Sequence, residues 1–222
     1  DGIARFAGAV RVDDATLVTT TGTGAITFTS TVDSESGEAN TLQLTGDTGD
    51  VLFQGAVGSG VNQELGAITV VSGNNFTASS TIEAASLVQN GGTLTTLTGD
   101  VTTTAVAGVD LTATDIRLDG LTVAPSGDGI ARFAGAVRVD DATLVTTTGA
   151  GAITFTSTVD SQATEANTLQ LTGDTGDVLF QGAVGSGVNQ ELGAITVVSA
   201  NNFTASSTIE AASLVQSGGT LT

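Results

Sequence analysis

The sequence predicts an all-β fold: a parallel β-helix, or β-solenoid, in which successive coils of the chain stack along one axis. The first observation behind this prediction is a long repeat, because residues 1–95 return at residues 128–222 with six differences. The second is a shorter period inside it, since similar strand-like segments recur at nearly regular intervals with glycine-rich turns between them. Periods of roughly 20–50 residues are typical of solenoids, whose coils bury their apolar faces only against neighbouring coils.

The long repeat predicts two units, residues 1–127 and a second, truncated unit at residues 128–222. Three of the six differences are adjacent, at residues 35–37 of the first unit and 162–164 of the second, which predicts an exposed loop there. Such near-identity indicates recent tandem duplication. We therefore expect the chain to be part of a longer array, whose partner is another copy of itself, either covalent or docked end to end.

The full repeat, residues 1–127, is predicted to hold five coils of similar length, roughly 25 residues each, a period within the range of known solenoid repeats. The coils are set by similar segments that begin at Leu17, Leu42, Ile68, Leu94 and Leu121. Corresponding apolar residues should then stack on successive coils, with Phe28 over Phe53 and Val32 over Val57. The phenylalanine series continues to Phe133, and the long gap before it predicts that one coil lacks this ring.

The local sequence has the texture of strands, most clearly in residues 25–32, AITFTSTV. Apolar Ile26 and Phe28 alternate with threonines, as in a strand with one buried face. Clusters such as TGDTGD (45–50) are typical of turns. The stretch STIEAASLVQ (80–89) is the best helical candidate, but its β-branched residues and its place in the cycle predict a strand.

The composition excludes several classes of chemistry. The chain has no Cys, His, Met or Lys, so it offers no disulfide, thiolate zinc site, histidine base or lysine nucleophile. Its net charge of −18 opposes binding to nucleic acid and anionic membranes. No run of apolar residues is long enough for membrane insertion. No enzyme is expected, and the alternative is a polysaccharide-acting β-helix enzyme, which would normally use the absent Trp and Tyr to hold sugars.

The candidate metal ligands are the aspartates of the two TGDTGD turns, Asp47 and Asp50 with their copies Asp174 and Asp177. Calcium prefers several carboxylate and carbonyl oxygens, so these turns are the predicted calcium site. They match neither the EF-hand loop nor the nonapeptide repeat of calcium-binding solenoids, and solvated turns are the alternative interpretation. No other cofactor is predicted.

Two further surface features have structural interpretations. The sequence NFT at Asn75 and Asn202 fits the acceptor pattern for N-glycosylation. Each lies in a strand signal, and we interpret it as an unmodified Asn at a turn. Arginines lie near aspartates, Arg11 beside Asp13 and Arg117 between two of them, and we expect exposed ion pairs worth less than about 1 kcal/mol each.

A motif repeats along the chain and is clearest in LQLTGDTGDVLFQGAV (42–57): Leu-x-Leu-Thr, a Gly-Asp turn, then Val-x-Phe-x-Gly-x-Val. This pattern resembles the degenerate repeats of filamentous-haemagglutinin-like bacterial surface proteins, and the likeness covers almost the whole chain. The resemblance implies a right-handed β-helix in an extracellular or cell-surface fibre that serves as an adhesin or matrix protein. Cell-surface or matrix glycans are the ligands that this role implies.

The alternative fold is a tandem array of calcium-stabilised β-sandwich adhesin domains, each as long as the first unit, residues 1–127. A sandwich does not require evenly spaced coils, and it more often has a Trp or Tyr in its core. The short period and the absence of both residues therefore favour the solenoid.

Overall fold

The chain forms a parallel β-helix of about 10 coils. The computed structural model describes residues 1–221, which contain 24 strands and no helix. None of these residues therefore belongs to a helix long and apolar enough to cross a membrane. Every ladder between the described strands is parallel. The predicted fold class is confirmed, and the β-sandwich alternative is wrong, because a sandwich is built from antiparallel sheets.

Each coil has three strand positions, which stack with their counterparts into three faces of the helix. Face 1 contains β1 (Ala4–Phe6), β4 (Ile26–Phe28), β7 (Val51–Phe53), β9 (Asn75–Ala78), β11 (Leu94–Leu97) and β18 (Val159–Ser161). Face 2 contains β2 (Val10–Val12), β5 (Val32–Ser34), β12 (Val101–Thr103), β14 (Thr122–Pro125), β16 (Thr143–Thr146), β19 (Leu169–Thr172), β21 (Leu192–Ser199) and β23 (Ala211–Gln216). Face 3 contains β3 (Thr16–Thr19), β6 (Leu42–Thr45), β8 (Leu65–Ser72), β17 (Ile153–Phe155), β20 (Val178–Phe180), β22 (Asn202–Ala205) and β24 (Thr220–Leu221). Strands that run around a corner and belong to two faces are β10 (Ile82–Asn90), β13 (Val109–Leu118) and β15 (Ala131–Val139).

The strands bury one side because apolar residues alternate with polar or smaller ones. In β7, Val51 and Phe53 are fully buried, and the leucine between them is only partly buried. Inward side chains from the three faces meet in one continuous core. Ile26 and Phe28 are buried as predicted, and residues 80–89 contribute most of the strand β10 rather than a helix.

Phenylalanine rings form ladders along the core. The ring centroids of Phe28 and Phe53 are 5.1 Å apart and the rings are stacked, which confirms the predicted stack. Val32 also pairs with Val57 as predicted. The ladder of the second copy begins at Phe133, whose ring centroid is 5.0 Å from that of Phe155, but this ladder lies on face 3. The single phenylalanine series that the spacing predicts is therefore two series on different faces.

The two copies of the repeat occupy different faces of the β-helix. The sequence ARF at residues 4–6 is on face 1, whereas its copy at residues 131–133 is on face 3. Likewise, VLF is on face 1 at residues 51–53 and on face 3 at residues 178–180. Between β1 and the start of β15 the chain advances by 17 strand positions, which at three positions per coil is five and two-thirds coils. The second copy is therefore rotated by one face relative to the first.

The prediction of five coils per unit is wrong by two-thirds of a coil, because coil length varies. Leu42 pairs with Ile68 on the next coil, and the chain between them is long because it includes loops at the corners. Ile68 in turn pairs with Leu87, and the chain between these two is distinctly shorter. In the shorter coils β10, β13 and β15 continue around a corner without a loop. The predicted spacing takes Leu94, which lies on face 1, as the counterpart of Ile68 on the next coil. The residue that pairs with Ile68 on face 3 is Leu87.

The loop at residues 35–37 should accept an insertion. Ser36 and Gly37 are exposed, and Gly37 has nothing within 4 Å of the position a Cβ would take. Inserting several Gly and Ser residues after Ser36 should change the free energy of unfolding by less than about 1 kcal/mol, because lengthening a loop costs little entropy. Denaturant unfolding followed by circular dichroism checks this. The same insertion after Leu52, inside β7, is the matched control and should abolish folding; equal damage at both places would contradict the prediction.

Candidate functional site

Asp47 and its copy Asp174 connect three successive coils through their turns. The Oδ2 atom of Asp47 accepts a hydrogen bond from the N–H of Gly22 at 2.9 Å, and the N–H of Asp47 donates to Oγ of Ser72 at 3.1 Å. Asp174 makes the same two bonds in the second copy. Both aspartates have a left-handed backbone, with φ of 51° and 50°, which Asp adopts more readily than most residues. Each aspartate thus ties successive coils together at its own corner of the rod, and the two corners differ because the copies occupy different faces.

Asp50 and its copy Asp177 bond to the coil that follows. The Oδ1 atom of Asp177 accepts hydrogen bonds from Nδ2 of Asn201 and of Asn202, both at 2.9 Å, and from the N–H of Asn202 at 3.1 Å. Asp50 accepts the equivalent three bonds in the first copy. The pKa of Asp177 lies below its usual value. The largest cause is the hydrogen bond from the side chain of Asn202, followed by that from the side chain of Asn201.

The four predicted calcium ligands are therefore engaged by N–H donors on different coils. Asp47 bonds to the preceding coil and Asp50 to the following one. Within residues 1–221 no three acidic side chains are grouped so that they could hold a metal ion. Calcium binding at these turns stays a prediction. The interpretation of Asn75 as unmodified also stays a prediction; its Nδ2 donates to Oδ1 of Asp50 at 2.9 Å.

Acidification should weaken the rod partly through Asp177. A carboxyl whose pKa is lowered in the folded state stabilises that state above its unfolded pKa of about 4, and loses this contribution as the pH falls through the folded pKa. The effect should be small, because the carboxylate is exposed and screened. Urea midpoints measured from pH 5 to pH 2.5 should fall less steeply for Asp177→Asn than for the wild type. Asn202→Ala, which removes the main donor, should flatten the profile in the same way; an unchanged slope in both variants would contradict this role.

Of the two ion pairs that the sequence predicts, that of Arg11 forms and that of Arg117 does not. Both carboxylate oxygens of Asp13 accept from Arg11, with Nη2 to Oδ2 at 3.0 Å. Asp140 binds Arg138 in the same way, with Nη2 to Oδ2 at 2.9 Å. Arg117 has an aspartate two residues away on either side, yet it forms no ion pair with any described residue. The prediction of a pair for Arg117 is wrong.

Arg117 lines a groove on face 1, beside the boundary between the two copies. We call this the boundary groove; its volume is about 460 Å³. Its lining includes Leu94, Asp115, Arg117, Ala136, Arg138 and Asp160.

The strand register brings the charged residues of the groove together. Asp115 and Arg117 lie two residues apart on β13, so their side chains project from the same side of the strand. Arg117 pairs in register with Arg138 of β15, and Arg138 pairs with Asp160 of β18. These three residues therefore form one row along the rod, with about 4.8 Å between neighbouring strands.

The groove places two of the five arginines of an acidic rod beside two aspartates, Asp115 and Asp160. The chain has 23 acidic and five basic residues, and three of the five basic residues lie between positions 117 and 138. The pKa of Arg138 is raised above its ordinary value by its hydrogen bond to Asp140, with further attraction from Asp140 and Asp115. Arg132 on face 3 is paired with Asp110, with Nη1 to Oδ1 at 2.8 Å. Of the three arginines between positions 117 and 138, Arg117 alone thus has no ion pair with a described residue.

Sequence reasoning missed the boundary groove because the groove depends on register between coils. Arg117 and Arg138 become neighbours only because the coils at this boundary are shorter than the predicted coil. At the predicted coil length, Arg117 and Arg138 would not be in register on adjacent strands. The concentration of three of the five arginines in residues 117–138 was the available signal.

No protein-family model, curated protein or solved structure matches the chain.

Proposed function

We propose that the chain is a non-enzymatic structural segment of an extracellular fibre, sheath or giant adhesin, similar to the filamentous-haemagglutinin-like surface proteins that its repeats resemble. The observation that carries this proposal is the continuity of the β-helix across the copy boundary. Strand β13 of the first copy and β15 of the second pair over eight residues, from Val109 with Ala131 to Leu118 with Val139. Because the copies share one sheet and one core, further copies would lengthen the rod rather than add separate domains.

The composition suits a soluble rod whose stability comes from packing alone. The rod carries a net charge of −18, which keeps such a particle soluble and opposes non-specific association with nucleic acid or anionic lipid. It contains no cysteine, so its stability does not depend on the redox state of its surroundings. Stability comes instead from coil-to-coil packing, which is suited to a long extracellular filament.

A structural role is also favoured over catalysis by the available side chains. Without His, Lys or Cys, the chain offers only carboxylates, hydroxyls, amides and five arginines for chemistry. The aspartates of the turns, such as Asp47 and Asp50, already bond to neighbouring coils. The polysaccharide-acting enzyme is therefore the weaker alternative.

The end coils of this chain support association with another copy. Ile3 and Leu17 in the first coil are exposed, as are Leu214 and Val215 in the last. Strand β1 pairs only with β4 among the described strands, so in the 222-residue chain its other edge has no described partner. Such edges pair readily with another chain, and a second copy supplies a matching edge and matching apolar residues.

Sedimentation of the 222-residue chain tests the proposal. The average mass should rise with protein concentration, because the exposed edges dock head to tail. Arg5→Pro, which places a proline in the edge strand β1, should reduce this association and leave the melting of the inner coils unchanged. A strict monomer over roughly a hundredfold range of concentration, with intact β-structure, would contradict the proposed self-assembly.

A further inference from the structure

The boundary groove is assembled from both copies of the repeat. Arg117 belongs to the segment that follows residue 95 of the first copy, whereas Arg138 and Asp160 belong to the second copy. The first copy contains the counterparts of the latter two, Arg11 and Asp33, and they also pair in register.

These counterparts form only half of a groove. Both lie on face 2, Arg11 in the first coil and Asp33 in the second, and no described strand pairs with Arg11 on its other side. No counterpart of Arg117 therefore stands beside Arg11 within the described chain. The complete site exists where one copy meets the next.

The pairing of Arg117 with Arg138 is unfavourable unless an anionic group lies beside them. Arg117 and Arg138 are in register on adjacent strands, and like charges at directly paired positions are destabilising. Arg138 is compensated by Asp140, but Arg117 forms no ion pair with a described residue. A chain with 23 carboxylates has ample means to neutralise one arginine. Local conflicts of this kind are expected at functional sites, where a ligand completes the interaction.

The remaining groups of the groove select the kind of ligand. Asp160 uses Oδ1 to accept from the N–H of Gly187 at 3.3 Å, which leaves Oδ2 for another donor. Asp115 forms no ion pair within residues 1–221, so its carboxylate can also accept from a ligand. Leu94 and Ala136 add an apolar surface beside these charges. A ligand that fits has one anionic group, several hydroxyl donors and an apolar face.

We propose that the boundary groove binds a sugar residue that carries a carboxylate, such as a hexuronate. The guanidinium of Arg117 binds the carboxylate through two parallel hydrogen bonds, and the Nη1 atom of Arg138 adds a third donor. Asp115 and Asp160 accept hydrogen bonds from the sugar hydroxyls. The C–H face of the ring contacts Leu94 and Ala136. This binding activity does not depend on the proposed fibre role, since the 222-residue chain contains one complete groove.

The size of the groove agrees with such a ligand. Its volume of about 460 Å³ is within the usual range of small-molecule sites, roughly 300–1,000 Å³. Binding should be weak, because no aromatic ring is available to stack on the sugar. In an array each boundary would carry one such groove, and many weak sites along one rod would bind a polymeric acidic glycan far more tightly than a single sugar.

Titration of the isotope-labelled chain by NMR tests this proposal. The probes are D-galacturonate and D-glucuronate, with galactose and glucose as neutral counterparts and acetate as a bare carboxylate. At least one uronate should cause saturable shifts in signals of residues 115–117 and 136–138, with an affinity at least about tenfold above that of its neutral counterpart and of acetate. Arg117→Gln should lower the uronate affinity at least about tenfold, with an unchanged melting curve.

Arg11→Gln is the matched control, because it alters the half-groove of the first coil and should leave the affinity unchanged. Equal affinity for acetate and for both uronates would show a simple anion site and overturn the sugar assignment. The absence of saturable shifts with either uronate would overturn the proposal entirely, as would an equal loss of affinity in the Arg11 and Arg117 variants.

Discussion

Replacing Phe53 by alanine should lower the free energy of unfolding by about 3–5 kcal/mol, the usual cost of emptying the space of a buried phenylalanine. Phe53 is 0% exposed. Its ring stacks on Phe28 with centroids 5.1 Å apart and meets the edge of Phe76 at 6.1 Å. The variant therefore removes contacts to both neighbouring coils, and the rigid backbone of the coils cannot collapse into the cavity.

Two control variants separate this effect from a general sensitivity of the strand. Leu52→Ala changes the outward-facing neighbour in the same strand and should cost less than about 1 kcal/mol. Phe6→Ala removes the partly buried ring at the end of the same ladder, which has one ring neighbour instead of two, and should have an intermediate effect. Urea unfolding measures all three. If Phe53→Ala and Leu52→Ala unfold alike, the phenylalanine ladder is not the core of the rod.

Replacing Gly58 by alanine should cost about 2–5 kcal/mol, because it combines backbone strain with overpacking. Gly58 has φ of +70°, and a Cβ there would lie 1.9 Å from the carbonyl oxygen of Glu83 on the next coil. Its N–H also donates to the carbonyl of Val32 at 2.8 Å. An alanine must therefore push two coils apart at a corner where both are held by hydrogen bonds.

Gly37→Ala is the matched control for Gly58→Ala. Gly37 also has a left-handed backbone, with φ of +86°, but a Cβ there would meet nothing within 4 Å. The second copy has Thr164 at this place with φ of 70°, so a side chain is accommodated there. The control should cost only about 1–2 kcal/mol, the strain term alone. Equal losses in the two variants would mean that contact between coils does not limit the side chain at Gly58.

The stacking of coils could be predicted from the sequence because it depends on local patterns that the repeat copies faithfully. Phe28 over Phe53 and Val32 over Val57 follow from a regular spacing, which holds wherever coils carry loops of similar length at their corners. Alternation of apolar and polar residues marks the buried side of each strand, whichever face that strand occupies. The same ITF strand accordingly packs inward at residues 26–28 on face 1 and at residues 153–155 on face 3.

The face that each strand occupies, which we call the phase of the helix, could not be predicted because it depends on how the chain turns each corner. After β6 the chain turns the corner through the loop TGDTGD, whereas β13 runs for 10 residues across a corner and shortens its coil. Leucine spacing does not distinguish a strand on the next face from a strand on the next coil. The same limit applies to the boundary groove, since Arg117 and Arg138 become neighbours only through this phase. The roles of Asp47 and Asp50 in joining coils likewise depend on register.

Cryo-electron microscopy of a polypeptide with six tandem copies, each carrying a small folded tag in the loop at residues 35–37, tests the continuity of the rod and its phase most directly. Five and two-thirds coils per copy, at about 4.8 Å per coil, predict tags about 27 Å apart along an unbranched rod. Each tag should also lie about one-third of a turn from the previous one, apart from the gradual twist of the rod. Tags aligned along one side, or copies resolved as separate beads, would contradict the account.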